Sequence, residues 1–320
     1  PLGHLWLPSP PAWWVLCFYA VIWLSLYLRS DKNASTFRYG WIMGWTIAAW
    51  VIATTPAALE EASIETTFVD VGHGTSVVLR SDDQVWLYDC GRLGNDTGRS
   101  RDIDATLWSL GVTHLDGIML SHADTDHFNA LPGVIRRFSV DQIITPPGML
   151  DDPEPAVVKL RQSIQRWRIP IREVAAGTVE SIGHQQAVVL HPPVQRMAGT
   201  DNANSLVLRI DCGGTSLILP GDLEPHGTAT VIEQPRPRPG GVLMAPHHGS
   251  LRMDAASVLD WSRPGQTIVS GGRRAKRPEV YQMLSARGSA VHVTSQMGAV
   301  RVLINQNGKI DVRRWRVEPW

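Results

Sequence analysis

Two kinds of hydrophobic pattern divide the chain. Residues 12–28 (AWWVLCFYAVIWLSLYL) and 39–55 (YGWIMGWTIAAWVIATT) are apolar runs without a charge, joined by a short loop carrying Arg29, Lys32 and Arg38. Each is a little short of the roughly 20 residues a bilayer crossing takes, and flanking aromatic ends can extend it. They predict two transmembrane helices in a membrane segment over residues 1–60. A buried helical hairpin of a soluble protein is the competing reading. A signal peptide fits poorly, because there are two runs and the first lacks a basic leader. The basic loop should stay cytoplasmic, which puts everything after Ala58 outside the cytoplasm. The chain begins at Pro1 rather than Met, which fits the tail of a longer membrane protein.

From Ile64 the pattern changes to short β-rich runs broken by glycine and aspartate turns. Thr66–Val69, Ser76–Leu79 and Val85–Tyr88 read as strands, and a helical stretch near Ile103–Leu110 leads to a strand at Ile118–Leu120. A helix is predicted from His127 through Arg137, then a strand at Gln142–Thr145 and a helix over Pro155–Trp167. Strands follow near Ala187–Leu190, Leu206–Ile210, Ser216–Leu219 and Val242–Ala245. A helix near Pro278–Arg287 and strands at Val291–Val293 and Val300–Ile304 complete an α/β (α+β) domain over residues 61–320. No repeat of 20–50 residues is visible, and Glu233–Gly241 reads as a solvated connection.

Composition sharpens this division. An apolar content of 43% supports a packed core and excludes disorder. Thirty basic side chains balance thirty acidic ones, so only local patches can argue for nucleic acid. Cys17, Cys90 and Cys212 are too scattered for a zinc knuckle or a disulfide framework. Seven of the thirteen tryptophans fall in the first fifty residues, which marks that stretch as a separate segment.

Candidate chemistry clusters where apolar strands end. Leu120-Ser121-His122-Ala123-Asp124-Thr125-Asp126-His127 places four possible metal ligands within six residues. Imidazoles suit transition metals and carboxylates suit harder ions such as Mn. This is the H-x-[HD]-x-D-H signature of the metallo-β-lactamase superfamily in a carboxylate-rich form, and it points to a dinuclear hydrolytic site. In Leu219-Pro220-Gly221-Asp222-Leu223-Glu224, Asp222 follows a strand and could bridge two cations; a turn or cap aspartate is the plainer reading. In Ala245-Pro246-His247-His248-Gly249-Ser250 two histidines diverge, so one can ligate metal while the other faces substrate, and the sequence leaves open which. His73, in Val71-Gly72-His73-Gly74, falls near the same rim, though a lone histidine in a glycine turn is usually structural. His191, before Pro192-Pro193, is a rival ligand that fits a loop residue better.

Taken together, Phe68-Val69-Asp70-Val71-Gly72-His73-Gly74, Tyr88-Asp89-Cys90-Gly91, SHADTDH, Asp201-Asn202-Ala203-Asn204-Ser205-Leu206-Val207-Leu208, LPGDLE and APHHGS resemble the C-terminal metallo-β-lactamase domain of ComEC-type competence proteins, the channels of natural DNA uptake. The resemblance covers residues 64–305, and the two apolar runs resemble the end of that family's membrane region. It implies a four-layer αβ/βα sandwich preceded by two transmembrane helices (about 12–28 and 39–55). It further implies a multi-pass protein of the inner (plasma) membrane whose catalytic domain lies on the extracytoplasmic side. The implied activity is a metal-dependent nuclease that degrades one strand of incoming DNA. Three departures stand out. Family members often carry Gln and Asp where this chain has His73 and Thr75. They usually show Gly-His-Pro where this chain has Lys276-Arg277-Pro278, and Asp201 falls near the place of the superfamily's usual third-motif histidine.

The chemistry these residues permit is water-mediated phosphodiester cleavage with two divalent ions, Mn or Zn. Asp126, His127 and one of His247 or His248 are expected to hold one ion, His122 and Asp124 the other, with Asp222 between them. Asp126, His247 and His248 are the catalytic candidates. Asp89, Asp201 and Asn204 are expected to stand behind the ligands, although a strand-end turn residue is a fair reading of Asp89. The run Arg273-Arg274-Ala275-Lys276-Arg277 offers Arg273, Arg274, Lys276 and Arg277 to DNA phosphates, and Arg313-Arg314-Trp315-Arg316 adds charge with a stackable ring. The expected partners are DNA (a single strand or the duplex being imported), the membrane, and an upstream channel region of the same protein. A small-molecule metallo-hydrolase of the same fold and a degenerate, non-catalytic DNA-guiding domain are the competing readings.

Overall fold

In a computed structural model of the chain, residues 12–27, 40–48, 62–94, 97–251 and 253–320 are described. They belong to two compact units, residues 1–59 with 107–112, and residues 60–106 with 113–320. In the first, Ala12–Tyr27 forms a 16-residue helix with no acidic or basic residue in its end turns, and residues 40–48 are also helical. Trp14 meets Trp45 at 5.1 Å between ring centroids, while Trp13, Leu16, Tyr19 and Trp23 remain exposed. No helix among the described residues is long and apolar enough to cross a membrane. The rest of the two expected spans, residues 28, 39 and 49–55, lies outside the described residues.

The second unit is built of strands β1 (Ala62–Phe68), β2 (Val77–Ser81), β3 (Gln84–Tyr88), β4 (His114–Leu115), β5 (Gly117–Met119), β6 (Ser139–Val140), β7 (Ile143–Thr145), β8 (Ile171–Glu173), β9 (Val179–Ile182), β10 (Gln185–His191), β11 (Val207–Cys212), β12 (Thr215–Leu219), β13 (Val242–Met244), β14 (Gln266–Val269), β15 (Ala290–Val293), β16 (Val300–Asn305) and β17 (Ile310–Arg314). One sheet has the order β17-β16-β1-β2-β3-β5-β7-β8 and the other β15-β14-β13-β12-β11-β10-β9, while β4 and β6 pair separately. Each sheet has an antiparallel half and a parallel half. The pairs β3–β5, β5–β7 and β7–β8 are parallel in the first sheet, and β12–β13, β13–β14 and β14–β15 in the second. Parallel neighbours need crossover connections, and helices supply them. Arg101–Ser109, Leu131–Arg137 and Pro155–Trp167 join the first set; Pro225–Ile232, Ala255–Ser262 and Pro278–Ser285 join the second.

Alternation along the strands fixes which face each sheet turns inward. Leu208, Leu217, Leu219, Val242, Met244 and Ile268 point into a core shared with Ile64, Phe68, Leu79, Tyr88 and Met119 of the first sheet. Their neighbours Val207, Ile218, Leu243 and Val269 point the other way, against Val231, Leu259, Trp261, Val280 and Leu284 of the covering helices. A strand covered on both faces reads as continuously apolar, as Leu217–Leu219 of β12 and Val242–Met244 of β13 do. Tyr88 ties the sheets together: its buried hydroxyl donates to the Leu206 carbonyl at 2.7 Å, with the Leu219 carbonyl 3.3 Å away.

The expected single helix from His127 to Arg137 is two pieces, Thr125–Phe128 and Leu131–Arg137. Pro132 explains the break, since in a continuous helix its ring would meet the carbonyl four residues earlier; it starts the second piece instead. Strands β8, β9, β14 and β17, and the helices Pro225–Ile232 and Ala255–Ser262, are additional to the elements read from the pattern.

Candidate metal centre

Most side chains of the centre hang from the C-terminal end of a parallel strand or from the turn beside it, and His73 comes from the turn between antiparallel β1 and β2. Asp89 follows β3, Ser121 and His122 follow β5, Asp222 follows β12, His248 follows β13 and Ser270 follows β14. In open α/β sheets this is where ligand sites form, because the loops there splay apart. The turns are tight. Gly221 has φ +59° and sits so close to Ser121 that an added Cβ would lie 2.9 Å from the Ser121 Cβ. His247 and His248 adopt left-handed φ values of 48° and 55°, and Asp89 one of 58°. Such strain persists only where the surroundings over-determine it.

The deeper donor group joins His122, His127 and Asp222. His122 and His127 are 1% and 0% exposed, with ring centroids 4.1 Å apart. Asp89 and Ser121 stand behind them. The Asp89 carboxylate accepts from the Ser121 amide (2.7 Å), the Ser121 hydroxyl (2.7 Å) and His127 Nδ1–H (2.7 Å). With its proton given to Asp89, the Ser121 oxygen accepts from His122 Nδ1, 2.8 Å away. Nδ1 of both histidines is thereby engaged, and Nε2 of each turns inward. Neither Nε2 has a hydrogen-bond partner.

The shallower group joins His73, Asp126 and His248. His248 Nδ1–H donates to the Ser270 carbonyl at 2.7 Å, which leaves its Nε2, buried and again without a partner, facing two carboxylates. That nitrogen lies 3.4 Å from Asp126 Oδ2 and 3.4 Å from Asp222 Oδ2. On the other side, Asp222 Oδ1 is 3.3 Å from His127 Nε2, so the two oxygens of Asp222 face different groups. The His73 ring lies 4.5 Å from that of His248, with its Nε2 3.7 Å from Asp126 Oδ2.

These separations test whether cations fit. They are longer than good hydrogen bonds, whose heavy atoms sit about 2.7–3.2 Å apart. Two donors that share a tetrahedral ion at about 2.1 Å stand about 3.4 Å from each other. Buried imidazole nitrogens with no partner, spaced at ligand-to-ligand distance around a two-faced carboxylate, fit divalent cations. The charges of the metal-free site agree. Burial alone would raise the pKa of Asp126 and Asp222, but the His248 and His127 imidazoles outweigh it and hold both below the usual carboxylate range. Burial opposes charge on His127 and His248 too. There the carboxylates prevail: Asp222 and Asp89 hold His127 well above an ordinary histidine, and Asp222 and Asp126 raise His248.

The other expected site residues divide. Asp124 Oδ2 is 3.5 Å from His122 Nε2, on a half-exposed side chain. His247 lies at the rim, its Nδ1 3.6 Å from Asp222 Oδ2 and 3.4 Å from the Asp222 carbonyl. His127 groups with His122 rather than with Asp126 and His248, because consecutive residues on a helical turn point about 100° apart. Asp201 pairs with Arg196, and the Asn204 amide brackets Met197 N and O at 2.7 and 3.0 Å. Both belong to a loop tied to the centre through backbone, where Leu206 N donates to Ser121 O at 2.8 Å. His191 is held by Thr230 and the Ala203 carbonyl. Sequence alone gives Ser121 and Ser270 no role: Ser270 orients His248 through a backbone carbonyl that any residue could supply, and the Ser121 hydroxyl acquires its role only when the fold brings Asp89 to it.

A cavity of about 400 Å³ opens beside the shallower group, lined by His73, His247, His248, Leu251, Arg274, Arg277 and Val280 among others. Arg273–Lys276 forms a 3₁₀ turn anchored by buried Ala275. That turn splits the basic run, bringing Arg274 and Arg277 to the cavity wall. Of the later run, Arg316 is engaged with Asp70 at 3.2 Å and with the Ser295 and Gln296 carbonyls.

A helix-flanked pair of sheets with a two-part His/Asp centre at their strand ends defines a class, and residues 69–273 match the metallo-beta-lactamase superfamily, to which the chain belongs. The resemblance to ComEC-type proteins holds over most of its length. It is 27% identical over 260 residues to ComE operon protein 3 of Bacillus subtilis (strain 168), covering 74% of this chain and 32% of that protein. It is 26% identical over 282 residues to competence protein ComA of Neisseria gonorrhoeae, covering 85% of this chain and 36% of that one. The chain thus spans about a third of the length of these relatives. Among solved structures, the metallo-beta-lactamase fold protein YhfI from Bacillus subtilis is similar at 11% identity and TM-score 0.46, over 78% of this chain and 100% of that one.

Proposed function

We propose that the chain is the metal-dependent phosphodiesterase portion of a membrane competence protein, cutting one strand of DNA during uptake. The observation that carries this reading is a pair of neighbouring His/Asp donor groups, with one oxygen of Asp222 facing each, beside a cavity walled by two arginines. Bound divalent cations, Mn or Zn, would lower the pKa of a water toward about 7 and neutralise charge building on the phosphate and leaving oxygens. The protein's own part is to hold and orient. Asp89 and Ser121 fix His127 and His122 in the tautomer that ligates, the Ser270 carbonyl does the same for His248, and Asp222 spans the two groups. Arg274 and Arg277 offer charge-assisted hydrogen bonds to backbone phosphates, and His247 is placed at the rim to meet a substrate oxygen.

The uncharged helix Ala12–Tyr27, with its exposed tryptophans and leucine, supports reading residues 1–60 as the end of a membrane region. The basic loop then favours an extracytoplasmic catalytic domain that receives the strand from an upstream channel. The similarity to competence protein ComA of Neisseria gonorrhoeae supports a role in competence.

The test is cleavage of end-labelled single-stranded DNA by the whole chain in detergent, loaded with Mn or Zn. Cleavage that chelator abolishes and added metal restores is the expected result. A metal-replete chain that leaves DNA intact and opens a lactone or β-lactam would instead make it a small-molecule hydrolase, a reading that a 400 Å³ cavity also accommodates. DNA binding without any cleavage would leave a guiding role.

A further inference from the structure

We infer that His73 is a protein ligand of the shallower cation position, beside Asp126 and His248, and that its imidazole tilts this position toward Zn or Co over Mn. This rests on the two-cation reading above. A histidine in a glycine turn is ordinarily a surface residue, and ComEC-type proteins often carry Gln here. What sets His73 apart is how firmly its turn is pressed onto the ligand segment. Gly74 has φ +136°, and a Cβ added there would stand 2.7 Å from the Asp126 carbonyl oxygen and 2.7 Å from that of Gly91. A Cβ on Gly91 would stand 2.3 Å from the same Asp126 oxygen. Only glycines allow the two backbones to approach this closely.

Hydrogen bonds then fix the turn from three sides. Thr75 N donates to Asp126 O at 3.2 Å, Leu93 N donates to His73 O at 2.6 Å, and the Ser270 hydroxyl donates to Gly74 O at 2.8 Å. Ser270 is also the residue whose carbonyl orients His248. The His73 turn, the Asp126 turn and the His248 ring thus form one rigid assembly. Such clamping suits a metal ligand, because affinity falls when donors wander.

The spacing decides between a hydrogen bond and shared ligation. His73 Nε2 to Asp126 Oδ2 is 3.7 Å, beyond hydrogen-bond range and close to the roughly 3.4 Å between two donors of one tetrahedral ion. With His248 Nε2 3.4 Å from both Asp126 and Asp222, the position has two imidazole nitrogens and two carboxylate oxygens. That donor set follows the Irving–Williams order, in which Mn ranks below Co and Zn. A glutamine at this place would substitute a weak neutral oxygen and leave the position harder.

The experiment titrates the metal-stripped whole chain in detergent with Zn, Co and Mn separately. Wild type, His73→Gln and His73→Asn are compared, with circular dichroism to establish folding. Wild type should take two equivalents. In the variants the first should bind as before, while the second weakens for Zn and Co by about 100-fold, the upper end of what even outer partners cost, and for Mn by less than about tenfold. NMR of the Co-loaded wild type should show the ring N–H of His73 with the large through-bond contact shift of a ligating imidazole, as for His122, His127 and His248, which decides the matter even if a variant misfolds. Unchanged second-equivalent affinity, or a His73 ring without the contact shift of a ligand, overturns the assignment while the two-cation reading stands. A wild type with no second equivalent overturns both.

Discussion

His122, His127 and His248 each present a buried Nε2 with no partner, yet the nitrogen behind each is held differently. In the deeper group, Nδ1 of His127 meets a carboxylate, and Nδ1 of His122 meets the hydroxyl that the same carboxylate orients. In the shallower group, Nδ1 of His248 meets a neutral carbonyl, and the outermost side chain, His73, is 31% exposed. A carboxylate behind an imidazole raises its basicity as a ligand; a carbonyl does so less. The deeper position should therefore keep its cation, and the shallower one, next to the cavity and its arginines, should exchange its cation and meet substrate. One end of Asp222 belongs to each.

The sharpest way to break this comparison is to remove one imidazole from each side. His127→Ala should abolish the tighter equivalent and lower cleavage by more than about 100-fold, exceeding the 10–100-fold cost of losing an outer partner. His248→Ala should leave that equivalent in place and remove the weaker one. Stepwise titration by calorimetry separates them, and equal loss of both equivalents in both variants would erase the distinction. Asp89→Asn should cost the deeper position about 10–100-fold in affinity and leave the shallower one unchanged. The same titration reads it.

A smaller effect is expected at the cavity wall. Arg274→Ser and Arg277→Ser should each flatten the salt dependence of single-strand binding, by about 0.7 in the log–log slope for each phosphate no longer neutralised. Arg273→Ser and Lys276→Ser, whose side chains do not line the cavity, should change it less. The smallest effect is in pH. In the metal-free chain the raised pKa values of His127 and His248 give stability that is fully present below about 6.5, the ordinary histidine value, and is lost as pH rises through the folded-state values. A cation must displace those protons, so binding should tighten from about pH 6 to 8. Melting temperature against pH should fall for the metal-free chain and rise for the loaded one.

Much of the centre is legible in the sequence because each ligand follows an apolar run that has to be a buried strand. Leu219 into Asp222, Met244 into His248 and Leu120 into His122 all announce a strand end with chemistry on it. The partition of ligands is not legible, since Asp126 and His127 are neighbours in sequence and diverge only when the helical turn forms. His73 reads as a turn residue; its place beside Asp126 depends on the approach of Gly74 and Gly91 to a segment distant in sequence. The basic run reads as one patch, and only the 3₁₀ turn over Ala275 sorts Arg274 and Arg277 from their neighbours. Strand β8 escapes the pattern because its side chains are all exposed, so no alternation marks it.

The central claim is that Asp222 spans two cations, and Asp222→Asn tests it most directly, by metal content, melting temperature and DNA cleavage on one preparation. Losing a charge and a strong oxygen donor from both positions at once should leave both equivalents poorly bound and cut hydrolysis by orders of magnitude. The fold should survive, since Asp222 sits past the end of β12 rather than in the apolar core. Full cleavage by a metal-replete Asp222→Asn chain, with only about 1 kcal/mol of stability lost as for a turn or cap residue, would contradict the account.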